Sequence, residues 1–439
     1  MTKGTKERVL RELVNTAWLQ EFRRKLYAKA KAEPRFRFYS LYDKTYRIDV
    51  LAEAYRKVKA NGGTSGIDGE TCEAIQERGL DGYLAELQLE MQQERYQPQP
   101  VKRVYIPKAN GKKRPIGIPT IRDRIVQTAF LLALEPIFEA DFAETSYGFR
   151  PEKSAHDAVR EIYKYLNWGC EEVYDVDLEK YFDTVEHHKL MKLIARRIVD
   201  KQILRVIKLW LGCGYVEDGE HKQSKRGTPQ GGVISPLLAN IYLNPVDQAF
   251  KRNGLGAIRN GSVHLIRYAD DMLVLAQREL ETGINLLESY VERLGLRLNQ
   301  EKTRKLRMEQ RASVDFLGFR FYRAKNRRTG KRLILVSPSP ASRQRCREKI
   351  SKLIDHSIPL RVKDQIQNLN RFLRGWVGYF RLGNSGAALK NMRHHVNKRV
   401  RRVIQRRRGN AGYGWGGRIT SQYLYGTLGL YNQYRVCRL

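Results

Sequence analysis

Apolar positions at three-to-four spacing fill most of the first 95 residues, and this period predicts helices. The pattern is clearest in VLRELVNTAWLQEFRRKLYAKAKA (residues 9–32) and in DVLAEAYRKVKA (residues 49–60). The second segment runs into the glycine-rich loop NGGTSGIDGET (residues 61–71). Such a loop is either a flexible connection that carries helix caps or a backbone-amide loop that approaches phosphates, and the loop alone favours neither reading.

Between residues 96 and about 322 the pattern alternates between strand and helix periods. Asn110-Gly111, flanked by strand-like residues, predicts a hairpin over residues 101–119. A strand and then a turn are expected in EEVYDVDLEKYFDTV (residues 171–185), and a loop followed by a helix in KRGTPQGGVISPLLANIYLN (residues 225–244). A further hairpin is expected in VDFLGFRFYRAKNRRTGKRLILV (residues 314–336), so the fold class is α+β.

The segment SPSP (residues 337–340) marks a predicted boundary, because the helix period returns after it. Five apolar residues at steps of 3, 4, 3 and 4 predict one buried helical face: Ile366, Leu369, Leu373, Trp376 and Phe380. Three arginines lie to one side of that face: Arg371, Arg374 and Arg381. A core-packed helix with a cationic flank is suited to a clamp over a nucleic-acid duplex.

The charge of the chain is strongly basic and unevenly distributed. The net charge is +35, and the last 117 residues account for +25 of it, with 28 Lys and Arg against 3 Asp and Glu. A basic face of this length, interleaved with Trp, Tyr and Phe, indicates a nucleic-acid partner. Disorder is the competing interpretation, and the aromatic and aliphatic content argues against it.

Other function classes are not favoured by the composition. The five cysteines are far apart and form no C-x-x-C pair, so neither a disulfide scaffold nor a zinc finger is expected. No apolar run reaches membrane-spanning length, and the first residues lack the apolar segment of a signal peptide. We therefore expect a soluble cytoplasmic protein with no membrane partner.

Two adjacent carboxylates, Asp270 and Asp271, interrupt an apolar strand pattern in VHLIRYADDMLVLAQ (residues 263–277). Acidic residues are common in turns, so a simple turn is the default interpretation. Asp177 also follows an apolar strand, and if that strand pairs with the hairpin, three carboxylates meet at one sheet edge. Such a cluster requires protons or cations, and hard oxygen ligands select Mg²⁺, with Mn²⁺ as a substitute. Two such ions could activate a primer 3′-hydroxyl and stabilise the leaving pyrophosphate.

The order of several motifs resembles that of bacterial group II intron-encoded reverse transcriptase-maturases. The resemblance covers about residues 50–400, and NGGTSGIDGET matches an extra N-terminal block of that family. The remaining motifs are IPKANGKKRPIGIPTIRDRIVQ, TSYGFRPEKSAHDAV, YDVDLEKYFD, RGTPQGGVISP, YADD, GLRLNQEKT, FLGFRF and LNRFLRGWVGYF.

The resemblance implies a right-hand polymerase with fingers and an RRM-like palm, followed by an α-helical thumb or maturase domain. We expect four regions, the first being a helical extension with the start of the fingers over residues 1–95. Fingers and palm follow over residues 96–336, the thumb over 337–408, and a short basic tail rich in Gly and Tyr over 409–439.

The same resemblance implies roles for individual residues at the catalytic centre. Asp177, Asp270 and Asp271 are expected to be catalytic and to ligate two Mg²⁺ ions, with the carbonyl of Leu178 as a further ligand. Lys108 and Arg114, near the tip of the fingers hairpin, are expected to clamp the triphosphate of the incoming dNTP.

Three further residues are expected to contact the dNTP or its leaving group. Phe182 stands five residues after Asp177, where reverse transcriptases place the bulky side chain that excludes a ribose 2′-hydroxyl. The alternative is that Phe182 simply packs in the core, which is the commoner role of a Phe. Gln230 is expected to contact the nucleotide or the neighbouring template base. Lys302 is expected either to donate a proton to pyrophosphate or to contact phosphate.

The thumb is expected to bind intron RNA through its cationic flank, with nucleic-acid contacts from Arg371, Arg374, Arg381, Lys398, Arg399, Arg401 and Arg402. The expected activity is RNA-directed DNA synthesis on an RNA template with a DNA primer, combined with help in splicing the intron and its retrohoming into target DNA. The sequence leaves the oligomeric state open and slightly favours a monomer, and the protein is expected in a ribonucleoprotein or near the nucleoid.

The sequence departs from many members of the family at its C-terminal end. Those members carry a DNA-binding and Cys/His-containing nuclease domain, whereas only Cys437 lies in the last 40 or so residues here. We therefore expect no second-strand cleavage by this chain and a primer from another source, such as a replication fork. Two alternatives stay open: a domesticated enzyme of DNA repair or phage defence, and a splicing chaperone with a vestigial polymerase.

Overall fold

The computed structural model describes most of the chain. The described residues are 16–107, 111, 113–223, 226–228, 231–253, 263–309, 312–325, 328–330, 332–413, 417 and 419–439. Lys108 and Gln230, which have predicted roles, lie outside these residues.

Helices dominate both ends of the described chain, and strands are concentrated between them. The α-helices are α1 (Thr16–Ala32), α2 (Tyr42–Thr45), α3 (Ile48–Asn61), α4 (Cys72–Arg78), α5 (Leu80–Gln92), α6 (Ile121–Glu139), α7 (Ala155–Asn167), α8 (Tyr181–Thr184), α9 (His187–Ile194), α10 (Lys201–Gly212), α11 (Ser235–Arg252), α12 (Leu280–Arg293), α13 (Pro340–Leu353), α14 (Val362–Phe380) and α15 (Gly386–Arg407). The strands are β1 (Val101–Pro107), β2 (Lys113–Ile118), β3 (Glu172–Val176), β4 (Tyr215–Glu217), β5 (Glu220–Lys222), β6 (Val263–Tyr268), β7 (Asp271–Ala276), β8 (Arg304–Arg307), β9 (Ser313–Phe316), β10 (Phe319–Lys325) and β11 (Arg332–Pro338).

The strands form three sheets. The palm sheet has the order β6-β7-β3-β8, and each neighbouring pair in it is antiparallel. The fingers hairpin, β1 and β2, belongs to a second sheet with the order β2-β1-β4-β5. The third sheet has the order β11-β10-β9. The mixture of helix and sheet confirms the predicted α+β class.

Strands β6 and β7 of the palm sheet are buried on both faces, which explains why they are largely apolar runs. On β7, Met272 and Val274 point into a core shared with the N-terminal helices and with α6, α11 and α12. Leu273 and Leu275, on the opposite face, point into a second core shared with α7, the third sheet and the thumb helices α13, α14 and α15. Successive strand residues alternate between the faces, so the two cores use alternate positions of one strand.

The stretch predicted as a hairpin over residues 314–336 is a three-stranded meander. A two-residue turn at Leu317 and Gly318 joins β9 to β10. Both residues have positive φ, 49° and 80°, as a tight turn between twisted antiparallel strands requires. The prediction of one hairpin missed this turn because Leu317 is not a typical residue for it.

The thumb helices confirm the predicted apolar stripe, because all five of its residues on α14 are buried. The last residues of the chain pack back onto this helix. The Asn370 side chain donates to the Gly429 carbonyl at 2.7 Å and accepts from the Tyr431 N–H at 2.8 Å. Leu424 and Leu430 belong to the same core as the thumb. The region predicted as a tail therefore completes the thumb.

The glycine-rich loop at residues 61–71 is anchored to the start of α6. Arg124 donates to the carbonyl of Thr64 and to that of Pro119. A Cβ at Gly66 would lie 2.7 Å from the Thr120 Cα, so glycine permits this close packing. Among the described helices, none combines the length and the apolar character needed to cross a membrane.

Candidate active site

The three predicted carboxylates meet at one end of the palm sheet. Strand β3 pairs with β7 in a register that places Val176 opposite Met272. The next residues on the two strands are Asp177 and Asp271, so they face each other on the same side of the sheet. Asp270 lies in the two-residue turn between β6 and β7. Strand pairing therefore brings Asp177 to the adjacent pair Asp270 and Asp271, as the sequence analysis predicts.

The turn that carries Asp270 is tightly packed against residues 145–148. Ala269 has a φ of 57°, in the left-handed region that costs energy for any residue with a Cβ. A Cβ on Gly148 would lie 2.3 Å from the Ala269 nitrogen, so that segment can reach the turn only with glycine. Tyr147 and Thr145 bond the backbone of Arg267 at 2.8 and 2.9 Å, which attaches the segment to the edge of β6.

A buried arginine supports the same turn from inside the palm. Arg267 and Asp247 of α11 have fully buried side chains and form a salt bridge of 2.5 Å. Arg267 also donates to the Asn240 side chain at 2.8 Å and to the Ala269 carbonyl at 2.9 Å. Removing one partner of such a buried pair typically costs about 3–5 kcal/mol, because the other charge is left without compensation. The pair therefore ties α11 to the carboxylate-bearing turn.

The carboxylates repel one another and are partly desolvated. Burial raises the pKa of Asp270, and the negative charge of Asp177 raises it further. Asp271 reaches solvent, but it lies among enough protein atoms for desolvation, with the charges of Asp270, Asp177 and Asp175, to raise its pKa to about 6. Because these carboxylates repel one another, the binding of a cation would stabilise the cluster.

Asp177 is held by the loop that carries the GLRLNQEKT motif. The Asn299 N–H donates to the Asp177 carbonyl at 2.8 Å, and the Asp177 N–H donates to the Thr303 hydroxyl at 3.3 Å. The Lys302 ammonium contacts both carboxylate oxygens of Asp177 at 3.0 and 2.9 Å. Lys302 therefore neutralises one carboxylate of the cluster, a contact that the sequence-based prediction did not include.

A fourth carboxylate, Asp175, was also missed. It lies two residues before Asp177 on β3, and its side chain pairs with Arg304 of β8 at 3.1 Å. Its charge contributes to the raised pKa of Asp271. The strand period of two was the signal that could have placed Asp175 on the same face as Asp177.

The donor set suits a divalent ion of the hard type. Within the part of the chain that the structure describes, no three acidic, histidine or cysteine side chains are arranged closely enough to hold a metal by themselves. Mg²⁺ does not need such a cage, because it is usually held by one or two carboxylates together with waters and substrate phosphates. Neighbouring carboxylates with raised pKa values at a sheet edge fit that requirement.

The fingers hairpin also lies near the carboxylates. The positive charge of the exposed Arg114, on β2, lowers the pKa of Asp270 against the effect of burial. A Cβ at Gly231 would lie 2.5 Å from the Gly117 carbonyl of β2, so the loop after Gln230 touches the fingers hairpin. Gln127 of α6 fixes that loop by accepting from the Val233 N–H at 2.8 Å.

Phe182 lies between fingers and palm. It is half-buried on α8, its carbonyl accepts from the Thr228 N–H at 2.8 Å, and it lines a small cavity of about 40 Å³ with Gly117 and Arg226. This position is compatible with its predicted contact to the nucleotide sugar, which stays a prediction.

The predicted RNA-binding residues of the thumb divide into two groups. Most of them are exposed: Arg371, Arg374, Arg381, Lys398 and Arg402. Lys398 and Arg402 lie over the ring of Tyr413 at 4.7 and 5.8 Å from its centroid.

The other two arginines serve the thumb itself. Arg401 is 5% exposed, and its guanidinium donates to the Ile419 carbonyl, which argues against its predicted contact with nucleic acid. The signal for its burial was helical spacing, because Arg401 directly follows the buried Val400 and lies three residues before the buried Ile404. Arg399 is half-buried and pairs with Asp355 at 2.6 Å, and its contact with RNA stays a prediction.

Two family models match the chain. Residues 106–321 match "Reverse transcriptase (RNA-dependent DNA polymerase)", and residues 343–421 match "Group II intron, maturase-specific domain". The carboxylate cluster lies in the first range and most of the basic thumb in the second.

Several curated relatives are similar to the chain, and two of those given below are named as intron proteins. Protein YkfC of Escherichia coli (strain K12) is 37% identical over 361 residues, which cover 74% of this chain and 94% of that protein. The group II intron-encoded protein LtrA of Lactococcus lactis subsp. cremoris is 38% identical over 214 residues, 48% of this chain and 35% of that protein. A putative COX1/OXI3 intron 2 protein of Saccharomyces cerevisiae is 34% identical over 204 residues, 46% of this chain and 23% of that protein. The chain thus spans nearly all of the first relative and about a third or less of the other two.

Proposed function

The chain belongs to the family of group II intron-encoded reverse transcriptases and maturases, and from that premise we propose that it copies RNA into DNA at the palm carboxylates while its thumb binds intron RNA and assists splicing. The observation that carries the polymerase part is the convergence of Asp177 with the turn of Asp270 and Asp271. The copying step is proposed to serve retrohoming of the intron into target DNA.

Asp177, Asp270 and Asp271 are the residues proposed to hold two Mg²⁺ ions, with the carbonyl of Leu178 as an additional ligand and Mn²⁺ as a substitute. When bound, such ions activate a primer 3′-hydroxyl and neutralise the charge that develops on the transferred phosphate. The raised pKa values of Asp270 and Asp271 support this assignment, because an added positive charge relieves the repulsion among the carboxylates.

The remaining roles are assigned to residues around this cluster. Arg114 and Lys108 bind the triphosphate of the dNTP. Phe182 packs against its sugar and rejects a 2′-hydroxyl, and Gln230 contacts the nucleotide or the template base. Lys302 holds Asp177 before substrate arrives, and its ammonium is then available to the pyrophosphate group.

The thumb is proposed to bind folded intron RNA through its exposed basic side chains. RNA that is recognised by shape and phosphate contacts needs a broad cationic surface more than a base-reading element. The exposed arginines of α14 support this assignment. The proposed partners are therefore intron RNA, an RNA template with a DNA primer, dNTPs and target DNA.

The test uses the purified full-length chain with an RNA template and an annealed DNA primer. DNA synthesis should require Mg²⁺ or Mn²⁺ and stop when a chelator is added. In parallel, RNA transcribed from the DNA that flanks the gene should splice faster in the presence of the protein, and protein binding to it should weaken steeply with salt.

The two assays also separate the alternatives. Splicing assistance without any DNA synthesis would indicate a splicing chaperone with a vestigial polymerase. Synthesis without an intron in the flanking DNA would indicate a domesticated polymerase.

A further inference from the structure

Phe149 combines three unusual properties next to the catalytic turn. Its side chain is 53% exposed, and its backbone has a φ of 57°, in the left-handed region. It directly follows Gly148, which packs against the Ala269 nitrogen. A bulky residue in that region is a conformational outlier, and such outliers persist where the surrounding structure enforces them, often at functional sites.

The structure holds the backbone firmly on both sides of Phe149. On one side, the Asn240 side chain donates to the Gly148 carbonyl at 2.8 Å. On the other side, the buried Arg150 donates to the carbonyls of Ala143 and Ser146 at 2.5 and 2.6 Å and pairs with Glu139. The exposed ring is therefore presented from a rigid segment and is not the tip of a loose loop.

The surroundings of the ring are apolar and carry little uncompensated charge. Phe149 borders a cavity of about 230 Å³ together with Leu131, Phe142, Val233, Pro236 and Leu237. Two acidic residues also line it, but Glu135 pairs with Arg23 at 2.5 Å and Glu139 pairs with Arg150 at 2.6 Å. Both carboxylates among the described residues that line this cavity are therefore neutralised by a basic partner.

We propose that Phe149 is a contact residue for the template–primer duplex, against which the sugars and base edges of the base pairs nearest the reaction pack. This inference rests on the proposed polymerase function, because it places the end of the duplex beside Asp270. Aromatic rings supply such contacts without regard to base sequence, as copying of any template requires. The strained backbone of Phe149 is then explained, because this conformation directs the ring toward the duplex.

The experiment compares variants at this position in the full-length protein. Phe149→Gly removes the ring and relieves the backbone strain, so the fold should be kept, whereas Phe149→Ala removes the ring alone. Phe149→Trp keeps an aromatic surface. The readouts are the thermal midpoint, the affinity for a fluorescent RNA-template/DNA-primer duplex, and the length of the products.

Trp168 supplies a matched control, because it is also exposed, at 50%, and lies at the opposite end of the palm sheet. Its carbonyl accepts from Gln277, just past the end of β7, whereas Asp271 begins that strand. Six strand residues separate the two ends by roughly 17–20 Å. Trp168→Ala should leave duplex binding unchanged.

We expect Phe149→Gly and Phe149→Ala to weaken duplex binding by about tenfold and to shorten the products, and Phe149→Trp to stay within about threefold of wild type. Wild-type duplex affinity in a folded Phe149→Gly protein would overturn the inference while leaving the polymerase assignment intact. Duplex binding by the wild type without DNA synthesis would overturn the polymerase assignment, and the binding comparison would still decide the role of Phe149. No duplex binding by the wild type would overturn both.

Discussion

The end of the palm sheet that carries the carboxylates, called the palm edge below, and the exposed basic surface of the thumb are built in opposite ways. At the palm edge, individual contacts hold the carboxylates in place: Lys302 binds Asp177, and Arg267 supports the turn of Asp270. On the thumb, Arg371 and Arg374 of α14 and Arg381, the residue directly after it, share one exposed face, because helical geometry keeps them within roughly 80° of one another. At the palm edge the exact positions of a few side chains are fixed, whereas on the thumb it is the density of positive charge that is built in.

This difference follows from what each region is proposed to do. Phosphoryl transfer requires donors and charges within fractions of an ångström, because a small misplacement removes most of the rate. Binding a folded RNA through its phosphates depends on many contacts that each contribute little. Single substitutions should therefore have large effects at the palm edge and small, additive effects on the thumb.

The largest effect is expected for Asp270→Asn. Loss of one carboxylate of the proposed metal site should reduce DNA synthesis by about a thousandfold or more, since a metal ligand contributes several kcal/mol. Affinity for intron RNA and splicing assistance should persist. Primer extension and a filter-binding assay measure the two effects, with the exposed Asp43→Asn as the control. Normal synthesis by the purified Asp270→Asn protein would end the two-metal interpretation.

A smaller loss of synthesis is expected for Gly148→Ala. The new methyl group would lie 2.3 Å from the Ala269 nitrogen, so the turn must shift, and a displacement of about 1 Å can cost roughly a hundredfold in rate. RNA binding by the thumb should not change.

Gly82→Ala is the matched control for that variant, because no atom lies within 4 Å of the position of its Cβ. It should leave synthesis at the wild-type level. Equal activity of the two glycine variants would show that the packing behind the turn does not position Asp270.

The thumb should respond gradually to loss of charge. Combined substitution of Arg371, Arg374 and Arg381 by Gln should weaken intron RNA binding by about tenfold or more and reduce the salt dependence by up to about three phosphate contacts. The measurement is the slope of the logarithm of the affinity against the logarithm of the salt concentration. Arg401→Gln, at a buried position, should lower thermal stability and leave that slope unchanged. A slope that responds to Arg401→Gln and not to the triple variant would reverse the assignment of the surface.

The smallest effect is expected for Gly375→Ala on α14. The position is exposed and helical, and no atom lies within 4 Å of the new Cβ. Alanine should raise the free energy of unfolding by about 0.5–1 kcal/mol, because it restricts the unfolded chain and favours the helix. Chemical denaturation measures this change. Destabilisation would mean that this face of the thumb is packed more closely than its exposure indicates.

The local features of both regions could be predicted from sequence. Runs of apolar strand-forming residues predict β6 and β7, and the carboxylates between them fall at the turn, with Asp271 as the first residue of β7. Steps of three and four predict the buried stripe of α14. These predictions succeed because the side-chain period and the turn chemistry depend on neighbouring residues.

Contacts across the chain could not be predicted in the same way. Arg267 stands in an apolar run, and nothing near it in sequence indicates that it pairs with Asp247, 20 residues earlier. Helical spacing places Arg401 beside the apolar face of its helix, but nothing near it in sequence indicates that it donates to the carbonyl of Ile419. The positive φ of Phe149 likewise depends on Asn240 and Arg150 acting from both sides.

By itself, the sequence determined most element types and the basic thumb, because these follow from local periodicity and composition. The family was indicated by the resemblance of the ordered motifs. The tertiary structure decided which charges meet: Lys302 with Asp177, Arg304 with Asp175, and Arg114 with Asp270. The physical reason is that Coulomb energy and desolvation depend on distance and burial in space, and both are set only when the strands and helices pack.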